Sequence, residues 1–124
     1  MTYICDVESR LITVVETSVF DRQADKIWNE EERSGLVDYL ARNPEAGEII
    51  PGTGGVRKLR WGRTGTGKRG GSRVIYFFHS AGLPLYLLLA YAKAQATDMT
   101  SDEKRLVTAF AASLKQFAPK RTRQ

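Results

Sequence analysis

Hydrophobic and polar positions in the first half of the chain indicate one strand followed by two helices. Residues 10–16 (RLITVVE) are rich in β-branched side chains and predict an opening strand. Thr17 and Ser18 suit a helix N-cap, and apolar residues then recur at helical spacing. A second helix is predicted over NEEERSGLVDYLARNPEAG and stops at Pro44 and Gly47. In the second helix, Leu36, Val37 and Leu40 are predicted to face inward; the residues at helical spacing in the first helix are Val19, Phe20, Ala24, Ile27 and Trp28.

The second half of the chain predicts three strands, at about 56–61, 73–80 and 85–91. The loop GRTGTGKRGGS joins the first two strands, and a tight turn at Ala81 and Gly82 joins the last two. Connections of this kind predict an antiparallel meander. The last strand, within PLYLLLAYAK, is apolar at both odd and even positions. We therefore expect it to be a central strand that is covered on both faces.

A last helix should follow Thr100, because Thr100 and Glu103 have the spacing of a capping box and Pro119 marks an end. The resulting order is strand–helix–helix–strand–strand–strand–helix, which predicts an α+β fold with an antiparallel or mixed sheet. We expect one domain at 11–118, an N-terminal extension at 1–10 and a basic C-terminal tail at 119–124. The predicted core-facing stripe of the last helix is Leu106, Val107, Phe110, Leu114 and Phe117.

The composition fits a folded domain without a membrane span. Of the 124 residues, 42% are hydrophobic and 27% are charged, and no stretch reaches the roughly 18 apolar residues of a spanning helix. The single cysteine, Cys5, cannot form an internal disulfide, and no cluster with metal-ligand spacing accompanies it. The N-terminus lacks the long apolar run of a secretory signal, so a cytoplasmic protein is predicted.

The net charge of +5 is concentrated in one segment. Residues 57–73 contain seven basic side chains and no acidic one, whereas the rest of the chain has twelve basic and fourteen acidic side chains. We interpret the acidic residues of the predicted helices, Asp25 and those at 30–32, as a solvated face. No carboxylate lies among these seventeen residues, so their cations repel one another unless an anion is present. The basic segment therefore predicts a polyanion-binding site.

The glycine-rich loop does not predict a nucleotide site. Gly62 to Lys68 fits G-x-x-x-x-G-K, and Gly65 to Gly70 fits G-x-G-x-x-G. A P-loop requires Ser or Thr after the lysine and then a helix, but here Arg69 follows and the next element is a strand. The dinucleotide-binding pattern fails for the same reason, so we expect a flexible loop whose cations approach phosphates.

Conventional catalytic groups are scarce. His79 is the only histidine and is interpreted as a structural residue, and no metal-ligand cluster or cofactor motif is present. An enzyme with this sequence would therefore depend on Lys and Arg. Cleavage of RNA suits such a set, because the substrate supplies its own 2′-hydroxyl nucleophile and the protein stabilises the extra negative charge.

The run GTGGVRKLRWGRTGTGKRGGSRVIYFF, followed by PLYLLLAYAK and TSDEKRLVTAF, resembles the HigB-type branch of the RelE/ParE toxin superfamily. The resemblance covers about 11–117, and the G-K-R-G-G-x-R-[VI]-I-Y string is specific to that branch. It implies a RelE-like fold and a toxin that enters the ribosomal A site and cuts mRNA without a metal. It also implies an antitoxin partner, often with a helix-turn-helix domain, through which alone the toxin would reach operator DNA.

The resemblance also implies roles for individual residues. Arg73 matches the arginine that would bind the scissile phosphate, and Lys58, paired with Arg60, would accept a proton or stabilise charge. The second arginine of the RelE pattern corresponds to Ala94 here and its tyrosine to Thr100, so stacking and general-acid roles stay open, with Tyr91 or Tyr76 as candidates. The predicted catalytic set is Lys58, Arg60, Arg73 and Lys93, and the predicted RNA-binding set is Arg57, Arg63, Lys68, Arg69, Trp61 and Tyr91.

Two other functions stay open from the sequence. A ParE-like member of the same fold would inhibit DNA gyrase by binding and would have no nuclease activity. A nonenzymatic partner would only hold nucleic-acid phosphates. The basic set Lys58, Arg60 and Arg73 favours the nuclease, because the gyrase-inhibiting branch generally lacks it.

Overall fold

The computed structural model describes residues 12–61, 71–80, 82–92 and 99–116. These residues form a mixed five-stranded sheet with helices on both faces. The strand order is β1-β5-β4-β3-β2, with β1 parallel to β5 and all other neighbours antiparallel. The elements are β1 (Val14–Glu16), α1 (Ser18–Ile27), α2 (Glu30–Arg42), β2 (Glu48–Ile49), β3 (Val56–Trp61), β4 (Ser72–Phe77), β5 (Leu85–Ala92) and α3 (Ser101–Lys115).

The predicted α+β class and the order of its elements are confirmed. Strand β3 has the predicted limits, and β3, β4 and β5 form the predicted meander. Strand β4 ends at Phe77 rather than at 80, and the two-residue strand β2 is an addition. The predicted N-terminal extension at 1–10 and the predicted C-terminal tail at 119–124 lie outside the described residues, so both stay predictions.

Strand β5 is the central strand that its continuous hydrophobicity predicted. It lies between β1 and β4, and its residues from Leu87 to Tyr91 are buried. One core cluster lies between the sheet and α1 with α2, around Phe20, Leu36 and Tyr76. A second cluster lies between the sheet and α3. The sheet therefore has a face toward α1 and α2 and an opposite face toward α3.

Side-chain caps fix the starts of α1 and α2. The Thr17 hydroxyl accepts a hydrogen bond from the Phe20 amide and donates to the Leu87 carbonyl at 2.8 Å, so the cap also ties α1 to β5. Asn29 caps α2 in a reciprocal capping box with Glu32. Because the cap of α2 follows α1 almost directly, the two helices pack on the same face of the sheet.

An ion-pair cluster around one arginine changes the interpretation of the acidic residues on the first two helices. Arg33 on α2 forms ion pairs with Asp21 and Asp25 on α1 and with Glu16 on β1. Burial lowers the pKa of the Arg33 guanidinium, but the hydrogen bonds to Asp21 and Glu16 outweigh this effect and raise the pKa above its ordinary value. Asp25 is thus part of an ion-pair network that joins three elements rather than only a solvated residue.

Helix α3 begins with the predicted capping box. The Thr100 hydroxyl accepts from the Glu103 amide, and the Glu103 carboxylate accepts from the Thr100 amide. Val107 and Ala111 are buried, and Phe110 and Leu114 pack beside them. The prediction that Leu106 faces the core is wrong, because it lies about 100° around the helix from Val107 and is 70% exposed. Phe117 lies outside the described residues.

The loop between α2 and β2 is anchored to the sheet. The Tyr76 hydroxyl accepts from the Gly47 amide at 2.8 Å and donates to the Pro44 carbonyl at 2.9 Å. A Cβ at Gly47 would lie 2.9 Å from the Tyr76 ring, which explains why glycine occupies this position. The Arg57 guanidinium also donates to the Gly47 carbonyl at 2.7 Å. These contacts fix the chain immediately before Glu48.

Candidate functional site

Three predicted catalytic residues lie on the same face of the sheet. Arg60 on β3 is directly opposite Arg73 on β4, and Arg73 is directly opposite Tyr91 on β5. Directly opposite residues in antiparallel strands project from the same side, and Lys58, two residues before Arg60, shares that side. The residues Lys58, Arg60 and Arg73, which we call the basic triad, therefore project from the face that α3 partly covers.

The basic triad lines a cleft of about 360 Å³. Arg73 forms the deepest part, with a relative exposure of 9%, whereas Lys58 is half-buried and Arg60 is exposed. The remaining lining residues are Ala46, Glu48 and Leu59. The cleft is thus a small, open, positively charged site rather than an enclosed apolar pocket, and its size suits a phosphate group with part of its sugar.

The basic triad places like charges close together on neighbouring strands. Like charges directly opposite each other on antiparallel strands are destabilising, and Arg60 and Arg73 are such a pair. A phosphate would relieve this repulsion, and guanidinium groups bind phosphate oxygens through paired, charge-assisted hydrogen bonds. The arrangement therefore favours an anion that bridges β3 and β4.

Comparison with known protein families identifies the family of this fold. The model of one family, described as the RelE toxin of the RelE/RelB toxin–antitoxin system, matches residues 14–124. The chain belongs to the RelE toxin family. The match includes all five strands, so it covers every residue of the basic triad and Tyr91.

A solved structure supports the RelE fold. It is the E. coli toxin RelE in the free state, as a mutant with two arginines replaced by alanine. The alignment has a TM-score of 0.50 and 11% sequence identity, and it covers 70% of this chain and 88% of that chain. At this identity the similarity concerns the fold alone.

Two residues predicted to bind RNA lie on the opposite face of the RelE sheet. Arg57 alternates with Lys58 and donates to the carbonyls of Glu45 and Gly47. Trp61 alternates with Arg60, and its ring lies 5.3 Å from the Tyr39 ring between centroids. The structure therefore does not bring Arg57 or Trp61 together with the basic triad, and their contact with RNA stays a prediction.

The two tyrosine candidates have different positions. Tyr91 lies in the same cross-strand row as Arg60 and Arg73 but is only 8% exposed. Tyr76 is fully buried on the opposite face, where its hydroxyl anchors the loop before Glu48. Burial raises the pKa of the Tyr76 hydroxyl, although the hydrogen bond from Gly47 opposes the shift. The Tyr76 side chain is thus part of the core, which leaves Tyr91 as the tyrosine beside the basic triad.

His79, interpreted from the sequence as a structural residue, lies outside the core. It follows the end of β4, is exposed, and its ring lies 6.3 Å from the Phe77 ring between centroids. The alternation that would have placed it beside Ile75 and Phe77 ends with the strand. His79 is therefore neither in the core nor among the residues that line the cleft.

Other predicted site residues of this RelE-family chain lie outside the described part of the structure. They are Arg63, Lys68, Arg69 and Lys93, and their roles stay predictions. Among the described residues, no group of three His, Cys, Asp or Glu side chains is placed to hold a metal ion. Within the same residues, no helix is long and apolar enough to cross a membrane.

Sequence reasoning missed Glu48 as a site residue. Glu48 lies on β2 directly opposite Lys58, and it is the only acidic residue among the described residues that line the cleft. A signal was present, because the apolar residues Ile49 and Ile50 precede a Pro-Gly turn and then β3, which is the pattern of a hairpin. A hairpin at this point would have placed Glu48 beside the basic triad.

Proposed function

We propose that this chain is the toxin of a toxin–antitoxin system and that it cuts mRNA on the ribosome. The observation that carries the proposal is the basic triad, which gathers three cations in one cleft whose size suits a phosphate with part of its sugar. Membership of the RelE toxin family supports it. The string GKRGGSRVIY at 67–76 further supports assignment to the HigB-type branch.

The proposed reaction needs charge stabilisation more than a specialised nucleophile. The 2′-hydroxyl of the substrate attacks the neighbouring phosphate, so the reaction proceeds without a metal or cofactor and leaves a cyclic phosphate. Arg73 binds the scissile phosphate from the floor of the cleft, and Arg60 and Lys58 stabilise the charge that develops on its oxygens. Lys93 would add a further cation, and Tyr91 would contact the RNA beside Arg73.

The proposed partners follow from the same assignment. The toxin binds the ribosome and its mRNA, and Arg63, Lys68 and Arg69 would grip RNA backbone around the cleft. A cognate antitoxin, with a helix-turn-helix domain in the HigB-type branch, would hold the toxin inactive in the cytoplasm. Contact with operator DNA would occur only through that antitoxin.

Cleavage of mRNA on purified, programmed ribosomes tests the proposal. Wild-type protein should cut the mRNA and leave a 2′,3′-cyclic phosphate, and a 2′-deoxy nucleotide at the cut position should block the reaction. Arg73→Ala should lower the rate by about 10²–10³-fold, as for other lost transition-state contacts. Arg73→Lys should retain part of the rate, because a lysine keeps the charge but loses the paired hydrogen bonds.

Arg22→Ala is the matched control, because Arg22 is exposed on α1, on the far face of the sheet. It should cut mRNA like the wild type. Thermal denaturation of each variant separates a lost contact from a lost fold. Intact mRNA together with blocked gyrase supercoiling would show a gyrase inhibitor instead, and full cutting by Arg73→Ala would refute the role of Arg73.

A further inference from the structure

Both the strand pairing and the lining of the cleft place Glu48 beside the basic triad. It is paired with Lys58 across β2 and β3, so the two side chains project from the same side with Cβ atoms about 4.5–5.5 Å apart. The Glu48 side chain lines the same cleft as Lys58, Arg60 and Arg73. A carboxylate and three cations therefore surround the space in which a phosphate would bind.

The proposed reaction needs a proton acceptor, and a carboxylate suits that role better than the cations of the cleft. A 2′-hydroxyl must lose its proton as it attacks, so a proton acceptor must lie within hydrogen-bond reach. Glutamate side chains titrate at about pH 4.3 in model peptides and lysine side chains at about 10.4, and arginine stays protonated. At neutral pH, a carboxylate is the ready acceptor among these residue types.

Contacts among the described residues fix the backbone beside Glu48, and none of these contacts involves its carboxylate. The preceding residue, Gly47, is anchored on both sides, by the Tyr76 hydroxyl at its amide and by Arg57 at its carbonyl. Within the described part of the chain, Glu48 forms no ion pair, and its side chain is exposed at the mouth of the cleft. The backbone is therefore fixed while the carboxylate stays accessible to substrate.

We propose that Glu48 accepts the proton of the attacking 2′-hydroxyl; this inference rests on the proposed function. The 2′-oxygen forms a bond to phosphorus as its proton passes to the Glu48 carboxylate. The bond from phosphorus to the 5′-oxygen then breaks, and the departing oxygen takes a proton from solvent. Glu48 returns its proton to solvent after the cut. Lys58 then stabilises charge instead of accepting the proton.

Among the described residues, the charged groups that line the cleft with Glu48 come from two strands. Lys58 and Arg60 face it from β3, and Arg73 faces it from β4. All three are cations, so the Glu48 carboxylate is the one negatively charged group among the described residues that line the cleft.

Single-turnover cleavage on programmed ribosomes between pH 6 and 8.5 tests this role. Glu48→Gln should lower the rate by about 10²–10⁴-fold, the usual contribution of a positioned proton acceptor. It should bind RNA as tightly as the wild type or more tightly, because it removes a negative charge from a phosphate site. The wild-type rate should be flat with pH, whereas the Glu48→Gln rate should rise about tenfold per pH unit, since hydroxide then replaces the carboxylate.

Two further variants make the result decisive. Glu48→Asp keeps a carboxylate and should recover part of the rate together with the flat pH profile. Glu45→Gln changes a neighbouring exposed carboxylate outside the cleft and should behave like the wild type. Thermal denaturation should give the same midpoint for Glu48→Gln and the wild type.

Several results would overturn the inference while leaving the proposed function intact. One is a wild-type cleavage rate that rises with pH, as a lysine acceptor would require. Another is a cleavage rate of Glu48→Gln within threefold of the wild-type rate. Failure of Glu48→Asp to exceed Glu48→Gln would also overturn it. A wild-type protein that never cuts mRNA would overturn the proposed function and this inference together.

Discussion

Neighbouring basic residues on β3 have different surroundings because side chains alternate across the sheet. Arg57 donates to the backbone of the loop before Glu48, whereas Lys58 projects into the cleft. Arg60 and Trp61 divide in the same way, since Trp61 packs against Tyr39. One strand therefore supplies both cleft residues and residues that pack toward the opposite face.

The repulsion between Arg60 and Arg73 should be measurable in the free protein. Arg60→Gln should raise the free energy of unfolding by about 0.2–1 kcal/mol at low ionic strength, because it removes a directly opposed like charge. The gain should shrink as salt screens the remaining charges. Urea denaturation at low and high salt measures it, with the exposed Arg22→Gln on α1 as control. Lower stability of Arg60→Gln at low salt would show that Arg60 makes a net stabilising contact.

At the scale of elements, helix caps and hydrophobic periodicity predicted where the helices and the longer strands lie. The capping box of α3 is visible in the spacing of Thr100 and Glu103, and the structure has both of its hydrogen bonds. Leu106 was misplaced because a hydrophobic run shows that a helix is buried but not where its buried stripe is centred. Strand β2 was missed because two residues cannot show alternation, and Glu48 was missed with it.

The capping box should stabilise α3 measurably. Thr100→Ala should lower the free energy of unfolding by about 1 kcal/mol, because the Glu103 amide loses its acceptor. Thr108→Ala is the matched control within the same helix. It removes only a hydrogen bond to the Lys104 carbonyl and replaces threonine by the better helix former, so stability should stay equal or rise slightly. Equal loss in both variants, measured by thermal or urea denaturation, would contradict a specific role for the cap.

At the scale of the whole molecule, the sequence located the positive charge but not the face of the sheet that carries the site. The seven cations of 57–73 form one basic segment in the sequence, and alternation along the predicted strand 56–61 already separates Arg57 from Lys58 and Arg60. The side on which Arg73 lies depends on the register between β3 and β4, and the layer that covers each side depends on the positions of the three helices. Neither could be predicted from the sequence of the segment.

The buried Tyr76 hydroxyl should make the free energy of unfolding depend on pH in the alkaline range. Burial raises its pKa above the ordinary value of about 10, so the neutral phenol is favoured in the folded state. The resulting stability is present below pH 10 and is lost as pH rises toward the folded pKa. The free energy of unfolding should therefore fall more steeply above pH 10 in the wild type than in Tyr76→Phe.

The same variant should behave differently at neutral pH. Tyr76→Phe loses the hydrogen bonds to Gly47 and Pro44, so at pH 7 it should be about 1–3 kcal/mol less stable than the wild type. Tyr39→Phe, at an exposed tyrosine, should retain the wild-type slope above pH 10. Denaturant titrations from pH 7 to 11 measure both effects, and parallel curves for the wild type and Tyr76→Phe would contradict the assignment.

The parallel pairing of β1 with β5 also determines when the protein can fold during its own synthesis. The Thr17 side chain bonds to Leu87, 70 positions further along the chain, and β5 fills the centre of the sheet between β1 and β4. Closing so long a loop has an entropic cost that only completed burial offsets. A nascent chain that ends before β5 lacks this centre and the Tyr91 side of the Arg60–Arg73 row. The cleft is therefore assembled late, once most of the chain has left the ribosome that makes it.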